Sequence, residues 1–390
     1  MRVLHFSTTP LVGAPGRICR ALREATQVDA RWVVLRPEVG AYARMRFDLD
    51  WTWEANRDEV VQFAESADVW HLHNFLDTES QEFAPLDFGT RWKSGHPTVR
   101  HFHSTPDFIR RTMPDGARRL SECPLPRLVI AQHPERFMPE ARLVPNVVFP
   151  GEAQVNLPVS RIRIGYAPSR FNSGRTERWD TKAYPETVRL LRRVQRTLAR
   201  RGQPIDIDVI EGVSHEECLK RKQQCQIVID DLATGSYHLN TLESLADGAV
   251  CLTYLDRRTQ TALHALTGRN DFPAISVGLE DAAEVLLELC DRPALLQDLG
   301  ASGRRWMEAY WSVECSSAHF TEAYRMLIAN PLHPWPARFE ATELINWAAI
   351  ELHDALWRSR QRRWPQVTPP WALAAKSRLG RIARALGLRR

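Results

Sequence analysis

The chain has 390 residues, of which 44% are hydrophobic and 25% charged, and its formal net charge is +5. This length predicts two domains, and the composition is typical of a soluble globular protein. No run of about 18 apolar residues occurs and the polar residues soon after Met1 are unlike a signal peptide, so we expect a cytoplasmic protein with no membrane span.

Strand-like and helix-like segments alternate through residues 1–150. Strands are predicted at 2–7, 30–35, 67–73, 98–103, 127–131 and 141–144, and helices at 16–25, 58–66 and 106–112. Such alternation predicts an α/β domain with a parallel sheet and helices on both faces.

The pattern pauses at 151–160, which we interpret as a linker, and then restarts in a second domain at 161–330. Strands are predicted there at 161–166, 205–210, 226–230 and 250–254, and helices at 184–201, 215–223, 240–247 and through most of the remainder to about 328. Open α/β sheets bind ligands beyond the carboxyl ends of their strands. Two doubly wound domains therefore predict a central cleft, followed by a tail at 331–390.

The first candidate site is the loop at 8–17, between the first strand and the first helix. Gly13 and Gly16 would let the backbone approach a ligand, and the start of a helix presents N–H groups to an anion. The loop is not GxGxxG, which disfavours a nicotinamide or flavin cofactor. The alternative is an ordinary turn between a strand and a helix.

Histidines cluster at two predicted strands, as His71 and His73 and as His101 and His103. We expect the members of each pair to project to opposite faces, so that at most one of each serves a ligand. The other interpretation is that these side chains are structural. Because no zinc-ligand spacing is recognisable, we expect no metal. The seven scattered cysteines are expected to be reduced, without disulfide or metal roles.

Basic residues follow the first strand of the second domain. Arg170 lies in the loop after that strand, and Lys182 lies just before the next predicted helix. An Arg fork and a Lys charge both suit a pyrophosphate. The alternative is a solvated charged loop, because Arg175 and Arg178 are close by.

The segment 230–248 joins a strand to a helix through a Gly- and Ser-containing loop. We expect Asn240 to cap this helix and Glu243 to lie in its first turn. Two other interpretations remain, namely that Glu243 only compensates the helix dipole and that Asp230 and Asp231 only end the strand.

Taken in order, these motifs resemble the GT-B superfamily, specifically the bacterial retaining glycosyltransferases of family 4, or group 1. The resemblance rests on 71–74 (HLHN), His103, 144–147 (VPNV), 212–219 (GVSHEECL) and 242–248 (LESLADG). It implies two Rossmann-like domains that face a cleft, with the acceptor side in the first and the sugar-nucleotide donor side in the second. It also implies retaining, metal-independent transfer of a sugar from a nucleotide-diphosphate donor, with no cofactor.

The resemblance implies roles for individual residues. His103 would contact the reacting sugar, and Arg170 and Lys182 would neutralise the diphosphate. The residues expected at the donor are Gly13, Gly16, Gly235, Ser236, Tyr237, His238 and Glu243, the last of which would hold the nucleotide ribose.

The sequence departs from this family at one important position. The family commonly has a second glutamate eight residues before the position of Glu243, and this chain has Gly235 there. Tyr237 or His238 would then have to replace that carboxylate at the donor sugar. The alternative function is a catalytically inactive protein that binds a sugar nucleotide or a glycan.

The tail carries an unbalanced charge. From 357 to 390 there are nine Arg and one Lys with no acidic residue, so the tail carries +10 and the remainder −5. Residues 371–390 predict a basic amphipathic helix on an anionic membrane, at the inner face of the cytoplasmic membrane, and a surface-polysaccharide or lipid-linked saccharide acceptor. The alternative is a helix packed on the protein itself. No nucleic-acid partner is expected, because the body is acidic and contains no recognisable module for one.

Overall fold

A computed structural model describes residues 1–39, 47–151, 161–168 and 181–336, together with Leu352, Ala355, Leu356 and Ser359. Predictions for Arg170, for most of the linker at 151–160 and for the basic helix at 371–390 therefore fall outside the described residues. The described chain divides into two compact units. One is drawn from Met1–Phe149, Thr261–Asn270 and Glu308–Asn346, and the other from Pro150–Gln260, Asp271–Met307 and Trp347–Arg390.

Twelve strands form two sheets within the described residues. The strands of the first sheet are β1 Arg2–Ser7, β2 Asp29–Val34, β3 Trp51–Thr52, β4 Val69–His73, β5 Thr98–Phe102, β6 Arg127–Ile130 and β7 Arg142–Val144. The strands of the second sheet are β8 Arg163–Tyr166, β9 Asp206–Val209, β10 Ile227–Ile229, β11 Val250–Thr253 and β12 Ile275–Ser276.

Helices connect these strands along the chain. Those between β1 and β8 are α1 Ala14–Ala25, α2 Arg57–Ser66, α3 Phe88–Lys93, α4 Pro106–Thr112 and α5 Gly116–Ser121, with short 3₁₀ helices at Leu11–Gly13 and Pro134–Phe137. The later helices are α6 Tyr184–Arg200, α7 His215–Lys222, α8 Leu239–Ala246, α9 Arg257–Thr267, α10 Ala282–Cys290, α11 Pro293–Tyr310 and α12 Val313–Ala329.

The first sheet is parallel and has the strand order β3-β2-β1-β4-β5-β6-β7. This is the Rossmann order, in which the direction of winding reverses between β1 and β4. Both faces of the sheet are covered, so β4 and β5 are buried along their whole length. On one face Val3 packs with α1, and on the other Leu4 and Phe6 pack with aromatic residues near α2 and α3.

The second sheet is also parallel and has the order β12-β11-β10-β8-β9. Numbered within the unit, this is the 2-1-3-4-5 order of a second common doubly wound fold, and its winding reverses between β8 and β10. Ile164, Ile227 and Leu252 form the centre of its core, packed against α6 and α10. The predicted α/β class with two Rossmann-like sheets is confirmed, as the GT-B resemblance implies.

Helix α12 belongs to the first unit, although the sequence assigned residues up to 330 to the second domain. Phe320, Tyr324 and Leu327 of this helix lie in the same core cluster as Ile18 and Leu22 of α1. Their burial explains the position, since this apolar face of α12 is covered within the first unit.

Most predicted elements occur within a residue or two of their expected bounds. The sequence missed β3, α3, α5 and β12, which are short and give little periodic signal. All seven cysteines are described and are free. Among the described residues, no helix is both long and apolar enough to cross a membrane.

Candidate functional sites

In each unit, polar side chains gather where the winding of the sheet reverses. In the first unit they are histidines on β1, β4 and at the end of β5. In the second unit they follow β10 and surround the start of α8. Since ligands of doubly wound sheets bind beyond the strand ends at this reversal, both groups are candidate sites, and each is described separately.

The loop before α1 has an unusual backbone. Leu11 and Val12 have positive φ angles of 49° and 55°, and Gly13 follows at 75° as the residue that precedes the helix. A positive φ is costly for a β-branched residue such as Val12, and such strain is concentrated at ligand sites. The Arg17 side chain donates to the carbonyl oxygen of Val12 at 2.9 Å. The predicted contact of Gly13 with a donor remains a prediction.

Gly16 has a packing role instead. A Cβ atom at this position would lie 2.8 Å from the ring of Trp32, which is fully buried on β2. Glycine therefore lets α1 approach the sheet closely. The predicted contact of Gly16 with a donor remains a prediction, but packing is sufficient to explain the glycine.

The predicted orientation of the paired histidines is wrong. The ring centroids of His71 and His73 are 4.4 Å apart, and those of His101 and His103 are 4.1 Å apart. Residues i and i+2 of a strand share a face, because consecutive side chains alternate. All four side chains therefore lie on one face of the sheet, where His5 of β1 joins them, with its ring 4.2 Å from that of His71.

Hydrogen bonds join these five imidazoles and one phenol into a single chain. Nδ1 of His101 lies 3.1 Å from Nε2 of His71, whose Nδ1 lies 2.8 Å from the Tyr324 hydroxyl. That hydroxyl is 3.2 Å from Nε2 of His5. His5 Nδ1 is 3.0 Å from His73 Nε2, and His73 Nδ1 is 2.9 Å from His103 Nε2.

Burial keeps these histidines neutral. Burial lowers the pKa of His5 and of His103 to about 3, helped by neighbouring positive charges. It also lowers the pKa of His71, His73 and His101 well below the ordinary value of 6.5. A neutral imidazole has one N–H donor and one lone pair, so the set can donate and accept hydrogen bonds or bind a metal ion.

Asn74 positions His103. Its Oδ1 accepts a hydrogen bond of 2.8 Å from the His103 backbone N–H, and its Nδ2 donates to Ser104 at 3.0 Å. The backbone of Asn74 is itself left-handed, with φ 46°, and its carbonyl oxygen accepts from the buried Arg100 side chain. The HLHN segment thus fixes the half-buried His103 at the strand end, and the predicted contact of His103 with a sugar remains a prediction.

In the second unit, the structure brings together two predicted residues, Lys182 and His238. The Lys182 ammonium lies 2.7 Å from His238 Nε2, and His238 Nδ1 lies 3.3 Å from an Asp230 carboxylate oxygen. The ammonium can only donate, so Nε2 accepts and the proton of the neutral ring is on Nδ1. Lys182 and Ala183 have φ angles of 50° and 55°, so this positive charge is held by a strained backbone.

Asp230 does more than end its strand. Its Oδ2 accepts from the backbone N–H of His238 at 2.8 Å and from the Thr241 hydroxyl at 2.5 Å. Burial by itself would raise the pKa of Asp230, but the interactions with His238 and Thr241, followed by the Lys182 charge, outweigh it and lower that pKa. Asp230 therefore stays ionised and orders the start of α8.

The expected capping of this helix is wrong. His238, not Asn240, precedes the first residue of α8, and no acidic residue lies in the first turn. Glu243 is one turn further along, so compensation of the helix dipole no longer explains it.

Glu243 is paired inside the second unit. One carboxylate oxygen is 2.9 Å from His215 Nε2, and the other accepts from the Lys222 ammonium, whose side chain is 1% exposed. Burial by itself would raise the pKa of Glu243, but Lys222 and His215 outweigh it and lower that pKa to about 2. A ribose bound by Glu243 would therefore have to share the carboxylate with His215 and Lys222.

Gly235 has a steric reason to be glycine. Its φ is 78°, and a Cβ atom there would lie 2.6 Å from Oδ2 of Asp256. The Asp256 carboxylate therefore occupies the space where a side chain at 235 would begin. Ser236 and Tyr237 are both fully buried, and the Tyr237 ring packs on Phe272. Their predicted contacts with a donor remain predictions.

Sequence reasoning missed several residues of these sites, namely His5, Tyr324, His215, Lys222 and Asp256. A signal for His5 was available, because β1, β4 and β5 each carry Val-x-His, at 3–5, 69–71 and 99–101. With the period of two for a strand, that repeat places three histidines on one face next to a common apolar layer. The others come from distant segments and give no local signal.

Several solved structures are similar to this chain. Sucrose-phosphate synthase from Thermosynechococcus elongatus is 13% identical with a TM-score of 0.49, covering 84% of this chain and 99% of its own. UDP-GlcNAc 2-epimerase from Neisseria meningitidis, bound to UDP-GlcNAc, is 12% identical with a TM-score of 0.44 and coverages of 83% and 99%. A mutant O-GlcNAc transferase from Thermobaculum terrenum is 15% identical with a TM-score of 0.45 and coverages of 84% and 67%.

No model of a known protein family matches the chain, and no curated protein matches its sequence. Transferases and an epimerase are both among the similar structures, so the likeness does not choose a reaction.

Proposed function

We propose that this protein is a glycosyltransferase that moves a sugar from a nucleoside-diphosphate donor to an acceptor. The observation that supports it best is the ammonium of Lys182, held by His238 beside the start of α8. The leaving diphosphate develops negative charge, which a positive charge fixed before the reaction stabilises. The N–H groups at the start of a helix add to that stabilisation. Arg170 is proposed as a second diphosphate ligand.

Carboxylates of the second unit would hold the neutral part of the donor. Glu243 is proposed for the ribose hydroxyls, while it remains paired with Lys222 and His215. Asp256 is the candidate replacement for the family glutamate that is absent at Gly235, because its carboxylate lies against that position. A carboxylate that accepts two sugar hydroxyls adds charge-assisted hydrogen bonds to the donor.

His103 is the proposed contact of the first unit with the reacting sugar. Its neutral imidazole, positioned through Asn74, can donate or accept one hydrogen bond at a sugar hydroxyl. Retention of configuration and independence of a metal in the transfer are carried over from the family resemblance.

We propose that the acceptor is a lipid-linked saccharide or a surface polysaccharide. The support is the charge of +10 at residues 357–390, which would bind the protein peripherally to an anionic bilayer. The test is co-sedimentation of the full chain, and of a chain ending at Pro370, with anionic vesicles. Loss of binding on truncation supports the proposal, whereas equal binding of both chains contradicts it.

The activity is tested with a panel of sugar nucleotides. Thermal shift identifies the donors that bind, and release of free nucleotide is then measured with and without candidate saccharide acceptors. A transferase should release nucleotide from at least one donor that binds, and faster when an acceptor is present. Saturable binding without release at any donor would instead favour the alternative, an inactive sugar-nucleotide-binding protein, for which the absent glutamate at Gly235 is the supporting observation.

A further inference from the structure

The histidines of the first unit offer more ring nitrogens that could bind a ligand than a sugar contact at His103 requires. His73, His101 and His103 each offer one ring nitrogen, and these nitrogens all lie within 4.8 Å of one another. Nδ1 of His73 and Nε2 of His103 are 2.9 Å apart. In a tetrahedral zinc site, Zn–N bonds of about 2.0–2.1 Å place neighbouring nitrogens roughly 3.3 Å apart. A shift of a few tenths of an ångström would therefore suffice for this pair.

One nitrogen of the group is conspicuously unused. His101 is fully buried, and its Nε2 has no hydrogen-bond partner among the described residues. A buried polar atom without a partner is costly, and in native proteins it often marks the place of an ion or a ligand. The geometry points to a three-histidine site for a divalent transition ion of the zinc class, bound by His73, His101 and His103.

The hydrogen-bond chain can hold the required tautomers. If His101 carries its proton on Nδ1, it donates to His71, which in turn donates from Nδ1 to the Tyr324 oxygen. If His73 carries its proton on Nε2, it donates to His5, which donates from Nε2 to the same oxygen.

A phenol oxygen has two lone pairs, so Tyr324 can accept both hydrogen bonds. This arrangement leaves lone pairs on His101 Nε2 and on His73 Nδ1, which are two of the three nitrogens that would bind the ion. Partners that fix the tautomer of ligating histidines in this way are a general feature of metal sites.

The second three-histidine group, formed by His5, His71 and His73, is less suitable. Its members are fully buried and stacked on one another, and Nδ1 and Nε2 of each ring already face a partner within the chain. The first group instead includes His103, which is half-buried at the end of its strand, and a zinc site with three histidine ligands takes a water as its fourth.

The charge around the site limits its affinity. Three neutral imidazoles supply no negative charge, and the positive charge of Arg17 acts on His103. Imidazole ligands nevertheless suit zinc, copper and nickel ions. Removal of the Arg17 charge should therefore tighten binding.

The test uses the full chain without a histidine tag, treated with a chelator and then titrated with Co²⁺ and Zn²⁺. We expect one equivalent of Co²⁺ to give visible absorption bands of a low-coordinate nitrogen site, and Zn²⁺ to displace them. His101→Ala and His103→Ala should abolish the bands, whereas His264→Ala, at an exposed histidine of α9, should keep them. Circular dichroism checks that each variant is folded. If His101→Ala does not fold, because this histidine is buried, the result with His103→Ala decides the test.

Two further variants test the surroundings of the site. Tyr324→Phe keeps the ring and removes the shared acceptor, so affinity should fall by about 10–100-fold. Arg17→Gln should raise the affinity. Absence of Co²⁺ bands in the wild-type chain, or bands that survive in both His101→Ala and His103→Ala, would overturn the site. Since the readout is metal binding, its failure is independent of the proposed transferase activity.

Discussion

The two candidate sites differ in how their buried polar side chains are stabilised. In the first unit, five imidazoles stay neutral because burial lowers the pKa of each, and hydrogen bonds link them to one another and to Tyr324. In the second unit, charges are kept and paired, as Lys222 with Glu243 and as Lys182 with His238 and Asp230. A neutral network can accept a change of protonation or a metal ion, whereas paired charges give a field that is fixed in advance.

The largest expected effect is on the buried charge pair. Glu243→Gln should lower the free energy of unfolding by about 3–5 kcal/mol, because it leaves the Lys222 ammonium without a counter-charge. The double variant Lys222→Met/Glu243→Gln should recover most of the loss in urea unfolding. Equal losses in the single and the double variants would show that the pair is not what Glu243 contributes.

The same pair should give the second unit a defined acid sensitivity. The pKa of Glu243 is lowered from its usual value of 4.5 to about 2 in the folded protein, so its contribution is fully present above about pH 4.5. That contribution is lost as the pH falls towards 2, because the unfolded chain then binds the proton more readily. Melting temperatures from pH 6 to pH 2.5 should therefore fall more steeply for the wild type than for the double variant, and parallel curves would contradict this prediction.

The next effect concerns the fixed charge at the proposed diphosphate. Lys182→Ala should weaken binding of any accepted donor by about 1.5–3 kcal/mol, or roughly 10–150-fold in Kd. Lys220→Ala is the matched control, because this lysine is exposed on α7 and its ammonium pairs with Glu216 one turn earlier in the same helix. Calorimetric titration with the donor found in the screen measures both. Equal Kd values for wild type and Lys182→Ala would refute the diphosphate role.

The third effect distinguishes the cost of backbone strain from the cost of steric crowding at position 235, by comparing two Gly→Ala variants. Gly235 and Gly202 have φ angles of 78° and 76°, but a Cβ atom meets Asp256 at the first and open space at the second. Gly235→Ala should therefore cost about 1–3 kcal/mol more than Gly202→Ala in the free energy of unfolding. Equal costs would mean that Asp256 moves away freely, and a glutamate at 235 would then be tolerated.

The smallest effect compares one helix cap in each unit. Ser214 caps α7, which carries His215 and Lys222, and Ser312 caps α12 in the first unit. Either change to Ala should cost about 1 kcal/mol of stability. Only Ser214→Ala should also weaken donor binding, since α7 supplies the partners of Glu243. A loss of donor affinity in Ser312→Ala alone would reverse the assignment of the donor to the second unit.

Much of the fold could be predicted because it rests on local periodicity. The apolar runs of β1 and β10 and the amphipathic pattern of α6 are each contained in one short segment, so the α/β class and most element positions follow from the sequence. The placement of Lys182 and His238 in one site was also predicted. Their approach to 2.7 Å was not, because 56 residues separate them along the chain.

The errors have definite physical causes. The histidine pairs lie on one face and not on two, because residues i and i+2 of a strand share a face, as the Val-x-His repeat also specifies. The capping of α8 was assigned to Asn240 because Asn is a common capping residue, whereas His238 precedes the helix without a side-chain cap and its backbone N–H donates to Asp230. The partners of Glu243 lie 21 and 28 residues away, where sequence spacing carries no information.

The hydroxyl of Tyr324 bonds to His5 across 319 positions of the chain. A contact between residues this far apart in sequence cannot stabilise the fold until most of the polypeptide has been synthesised. Closing so long a loop is also entropically costly. During synthesis, β1, β4 and β5 emerge early, but the face that bears their histidines lacks Phe320 and Tyr324 until α12 leaves the ribosome. The amino-terminal sheet of a nascent chain would therefore expose an uncovered layer of imidazole and valine, and its final consolidation would be among the last events of folding.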